Sequence, residues 1–93
     1  MLKLVVIDLR AAKIQRFEEY EQQIVPLLAK HGGPFLRGVR SVDAATEIHL
    51  LFFPDTISFK RFLADPVRVA LQDAWALTGA KAIVSDVRDV GYT

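Results

Sequence analysis

Hydrophobic and polar positions alternate with a period that changes four times along the chain, and each change marks a new element. Residues 2 to 9, LKLVVIDL, are rich in β-branched and large apolar side chains over a stretch too short for a buried helix, so a strand is expected there. From Lys13 the period lengthens. Ile14, Phe17, Tyr20, Ile24, Leu27 and Leu28 recur three or four positions apart along one side of a helix, with Arg16, Glu19, Gln23 and Lys30 opposite. Pro26 removes one amide donor and crowds the preceding turn, so a bend rather than a stop is expected there.

The stretch KHGGPFLRG ends that helix. Gly32 or Gly33 can take the left-handed conformation that closes a helix without a Cβ clash, and Pro34 prevents helical continuation. PFLRGVRSV then reads as an extended strand whose Arg37 and Arg40 suit a sheet edge. After a turn near Asp43 to Ala45, TEIHLLFF forms a second strongly apolar strand over 46 to 53. Asp55 or Thr56 caps the helix ISFKRFLA. Asp65 and Pro66 break it and restart it as PVRVALQDAWALTG, closed by Gly79. The last strand, KAIVSDVRDV, runs from Lys81 to about Val90, with its charges spread as on an edge.

The order βαββαβ predicts one α+β domain over 1–93 of ferredoxin-like type: a four-stranded antiparallel sheet with two helices on one face and the first and third strands central. Both of those strands are apolar on both sides. Val5, Ile7 and Leu9 stand opposite Leu4 and Val6, and Ile48, Leu50 and Phe52 stand opposite Leu51 and Phe53. The helices cover only one face, so the other needs a cover, for which a second copy of the chain is the simplest expectation.

Composition narrows the function classes. The 93 residues are 52% hydrophobic with no cysteine, which excludes disulfide staples, thiolate metal sites and a cysteine nucleophile and leaves stability to packing. A reducing cytoplasm suits such a chain. Charges are interspersed and sum to +1, so neither nucleic acid nor a membrane surface is an expected partner. The apolar run at the start is broken by Asp8 and is too short for a signal peptide, and no stretch reaches membrane-spanning length.

YEQQIVPLLAKHGG, with Tyr20, Pro26, Gly32 and Gly33, followed by FFPDTISFKRFLADP, resembles the dimeric α+β barrel superfamily, in which two ferredoxin-like subunits pack open sheet faces together. Within it the likeness is closest to small domain-of-unknown-function proteins with a helix-ending double glycine. Pro34 stands where a basic residue often follows the glycines in that group, and PVRV lacks the aromatic that usually follows the second proline. The resemblance covers nearly the whole chain. It implies a homodimer and an interior that takes small organic molecules, sometimes with a histidine moving a proton.

His49 is the residue most suited to such chemistry. Alternation sets it in a row with Glu47 and Leu51 on a central strand, and Asp8 lies with Leu4 and Val6 on the side of the other central strand expected to be open. If His49 shares that side, an imidazole and a carboxylate line the interdimer cavity. His49 would then act as general base, since histidine ordinarily titrates near about 6.5, with Asp8 or Glu47 orienting the ring. The competing reading is that His49 only hydrogen-bonds Glu47 or a neighbouring strand. Tyr20 and Trp75, at helical spacing, are core or interface residues that would touch a bound ligand. Arg37, Arg40 and Arg88 solvate edge strands, and Arg37 is the candidate for holding an acidic ligand at the mouth. His31 is placed to meet the last carbonyls of its helix. No HExxH spacing, phosphate loop or GxSxG elbow is present, so no metal or cofactor is called for. Two functional classes fit: a small homodimeric protein that binds or transforms an organic molecule in a cavity between sheet and helices or at the dimer interface, by His-assisted proton transfer if an enzyme, and a non-catalytic dimerisation or accessory module.

Overall fold

The computed structural model describes residues 1–92. Its elements are β1 (Leu2–Asp8), α1 (Ile14–Lys30), β2 (Phe35–Arg40), β3 (Thr46–Phe52), α2 (Thr56–Leu63), α3 (Pro66–Ala70), α4 (Gln72–Thr78) and β4 (Lys81–Val87). The four strands form one antiparallel sheet in the order β2-β3-β1-β4, so the two apolar strands are central and the two charged strands are edges, as in a ferredoxin-like fold.

Helix boundaries follow local chemistry. Asp55 caps α2 by accepting from the Ser58 amide at 2.7 Å, and Asp65 caps α3 by accepting from the Val67 amide at 2.9 Å. α1 runs unbroken through Pro26 and ends in a Schellman turn. There the Gly33 amide donates to the Leu28 carbonyl at 2.9 Å and the Gly32 amide to that of Ala29 at 3.1 Å, with Gly32 at φ 73°. The segment expected as one helix from Pro66 to Thr78 is two. At Leu71 the amide is shared between the carbonyls of Val67 and Arg68, which tightens the turn and separates α3 from α4. β4 stops at Val87, short of Val90, because its partner β1 runs out at the Leu2–Val87 pair.

Register decides which side chains meet the helices. The buried core takes Ile7 and Leu9 from the β1 side and Leu51 and Phe53 from the β3 side, packed against Phe17, Ile24 and Leu28 of α1 and Phe62 of α2. Leu4, Val6, Ile48 and Leu50, paired across the centre of the sheet, belong to neither core cluster and point to the opposite face. Val39 and Ile83 extend that uncovered apolar face to both edges and are exposed. The helices also stop short of β4, where Val84 remains 52% exposed on the helix side.

Candidate functional site

Between α1, the α2–α4 segment and the sheet lies a cavity of about 330 Å³. Val5, Ile7, Leu51 and Val84 form its floor, and Phe35, Phe59 and Trp75 stand among its walls. Most of the lining is apolar, so the few polar groups in it are conspicuous: Lys3 from β1, Tyr20 and Glu21 from α1, His49 from β3, Arg68 from α3 and Gln72 from α4.

His49 is buried, with its ring edge-on to Phe35 at 4.9 Å between centroids. That approach depends on Gly38, which pairs with His49 across the strands. A Cβ at 38 would sit 2.7 Å from Phe35 Cζ. Nε2 of His49 is 2.5 Å from Glu47 Oε2, and Nδ1 is 3.9 Å from Glu21 Oε2. Glu47 is held from behind, accepting from Arg40 Nε at 2.7 Å, and Arg40 also donates to Glu18 at 3.0 Å. A chain of polar contacts thus runs from the surface at Glu18 through Arg40, Glu47 and His49 to the cavity at Glu21.

Electrostatics differ sharply along this chain. Burial, reinforced by the negative charge of Glu47, pushes the Glu21 carboxyl up to about 7. Burial likewise raises the Tyr20 phenol, against the opposing pull of Arg68. A carboxyl that changes charge near neutrality beside a buried imidazole can accept or return a proton, provided the acidic hydrogen of a bound molecule reaches the pair.

The expected site residues divide between the two faces. Glu47 and His49 are joined directly, and Tyr20 and Trp75 line the same cavity with their rings 5.2 Å apart. Asp8 is not with them. His49 pairs with Val5 and shares the helix side of the sheet, whereas Asp8 pairs with Thr46 and Lys81 on the open side. The placement of His49 in an open-face cavity beside Asp8 is therefore corrected. Asp8 instead accepts from Arg10 at 2.8 Å, and that pairing lowers its carboxyl to about 2. Arg37 pairs with Leu50 on the open side, exposed and away from this cavity. His31 meets Asp65 at 2.8 Å in addition to ending its helix.

Glu21 and Arg68 were not singled out by sequence. Glu21 carries a readable signal, since it interrupts the buried row Phe17, Ile24, Leu28 with an acid. Nothing in PVRV distinguishes Arg68. Among the described residues no group of three or more His, Asp or Glu side chains is placed to hold a metal ion, and no helix is long and apolar enough to cross a membrane.

The chain matches no protein-family model and no curated protein. Solved structures do match. SnoaB, a cofactor-independent oxygenase from Streptomyces nogalater, is 20% identical, with 96% of this chain and 93% of that chain covered at a TM-score of 0.70. An uncharacterized NIPSNAP domain protein from Burkholderia xenovorans is 12% identical over all of both chains, with a TM-score of 0.69. A candidate antibiotic biosynthesis monooxygenase from Nitrosomonas europaea is 12% identical, covering 94% and 98%, with a TM-score of 0.65. At these identities the likeness is one of fold.

Proposed function

We propose that the protein binds a small, largely apolar organic molecule in the cavity between helices and sheet, and that the His49–Glu21 pair moves a proton to or from it. The observation that carries this reading is the juxtaposition of the Glu21 carboxyl, poised near neutrality, with the buried His49 ring in a cavity whose lining is mostly apolar. Glu47, itself fixed by Arg40, engages Nε2 and leaves Nδ1 directed toward Glu21. The step is proton removal from an acidic C–H or O–H group. The fold shared with SnoaB supports a small-molecule substrate, and a deprotonated, electron-rich aromatic is the kind of species that an oxygenase without a cofactor requires. The double-glycine sequence group remains the narrower likeness within the superfamily, resting on Tyr20, Pro26, Gly32 and Gly33.

The same reading pairs two copies through the open sheet face, where Leu4, Val6, Ile48 and Leu50 have no helix over them. It suits the cytoplasm, where a chain without cysteine loses nothing to reduction. A purely dimerising module would use that open face but has no need of Glu21, whose burial costs stability. Native mass spectrometry of freshly purified protein tests the proposal. A co-purified organic molecule is expected, lost on His49→Ala with the fold intact. Ligand binding and turnover indifferent to both His49→Ala and Glu21→Gln would overturn it.

A further inference from the structure

Resting on the cavity reading above, we infer that Arg68 is the anion-binding residue of this site, and that the molecule it selects carries a carboxylate on a flat apolar body. Two cations line the cavity. Lys3 is buried, lies 4.1 Å from the centre of the Phe59 ring and is neutralised by an ion pair with Asp86. Arg68 has no such partner: among the described residues no carboxylate lies within ion-pairing distance of it, and Nη1 only donates to the Leu63 carbonyl at 3.1 Å.

Arg68 is half-buried among mostly apolar lining, so its charge is met only partly by water and by no carboxylate. The guanidinium lies 5.5 Å from the centre of the Phe62 ring, and apart from Nη1 its N–H groups make no hydrogen bond among the described residues, which leaves them for a ligand. Carboxylates match that donor edge with two parallel hydrogen bonds, which a lone ammonium cannot provide. Phe35, Phe59 and Trp75 supply apolar walls for the body of the molecule. Tyr20 lies within electrostatic reach of both Arg68 and Glu21, so the basic and acidic groups act on one shared space. The ligand is thereby oriented, its carboxylate on Arg68 and its acidic hydrogen toward Glu21 and His49.

The chain has one tryptophan, Trp75, whose indole N–H gives a single cross-peak from the cavity wall. Titration of ¹⁵N-labelled protein with 2-naphthoate and with its neutral isostere 2-naphthamide, at neutral pH, follows that peak. Wild-type protein is expected to prefer the naphthoate by about tenfold or more. Arg68→Gln is expected to abolish the preference, bringing the naphthoate affinity down to about that of the naphthamide. If the glutamine variant loses its folded amide spectrum, Arg68→Met, which keeps an unbranched stem against Phe62, carries the same expectation. A folded variant that retains the wild-type preference overturns the role of Arg68 and leaves the cavity reading standing. Failure of both probes to shift Trp75 in wild-type protein overturns the cavity reading, and this inference with it.

Discussion

Nδ1 of His49 lies 3.9 Å from Oε2 of Glu21, a residue on a different element and 28 positions away by number, while Nε2 of the same ring is 2.5 Å from Glu47. The ring is held between two carboxylates that are not equivalent. Glu47 is neutralised by Arg40, whereas Glu21 is pushed toward its protonated form by burial.

Glu21 should therefore destabilise the folded chain at high pH. Its folded value lies above the unfolded one, so the native state holds the extra proton. The penalty is absent below about pH 4, grows as pH rises through the interval to about 7, and is constant beyond. Glu21→Gln is expected to gain on the order of 2–3 kcal/mol over wild type between pH 5 and pH 8 in parallel urea titrations. A pH-independent difference between the two proteins would show that Glu21 is not desolvated as described.

The double glycine should be intolerant at both positions, for different reasons. The sequence leads one to expect that the glycine without a positive φ tolerates alanine better, and Gly32 is the one with positive φ, at 73°. Gly33 is not in the left-handed region, but a Cβ there would sit 2.3 Å from the Phe52 carbonyl oxygen, backbone that cannot turn aside. Gly32→Ala is expected to cost roughly 1 kcal/mol, and Gly33→Ala on the order of 2 kcal/mol or more, by denaturant titration. A harmless Gly33→Ala would contradict the close approach of the two segments.

Asp65 pins the end of α1 to the start of α3. Its buried carboxylate accepts from His31 at 2.8 Å, Lys30 at 2.9 Å and the Val67 amide, and these bonds hold it well below the usual carboxylate range. A depressed folded value means that this stabilisation is present above about pH 4 and is lost as pH falls below it. Thermal unfolding of wild-type protein is expected to drop between pH 5 and pH 2, and Asp65→Asn to show a lower Tm at pH 5 and a flatter decline. A variant parallel to wild type over that range would remove Asp65 from the acid response.

The caps at Asp65 and Gly79 were legible in sequence because each depends on residues adjacent in the chain, and the central and edge strands were legible from their apolar and charged composition, whereas the break between α3 and α4 was not. The facing of His49 was not. Both sides of β3 are apolar, with Ile48 and Leu50 on one and Leu51 and Phe53 on the other, so alternation alone leaves open which row meets the helices. Pairing with β1 resolves it: His49 stands beside Val5, and the Val5, Ile7, Leu9 row was already recognisable as the helix side. Arg68 gave no signal, because its lack of an acidic partner is a property of the assembled cavity.

Light scattering in dilute solution is expected to give twice the 10.4 kDa chain mass, since the open face leaves Leu4, Val6, Ile48 and Leu50 without a helix. Substituting Ile48 by aspartate is expected to return the mass to that of one chain. A wild-type protein that stays monomeric at micromolar concentration would contradict the pairing.

The most direct measurement is an NMR titration of the Glu21 side-chain carboxyl, using its ¹³C chemical shift from pH 3 to pH 9 with Glu21→Gln for assignment. A midpoint of about 7 is expected. A midpoint at the ordinary glutamate value of about 4.3 would mean that the carboxyl is solvated and unpoised, and would contradict a proton-transfer site in this cavity.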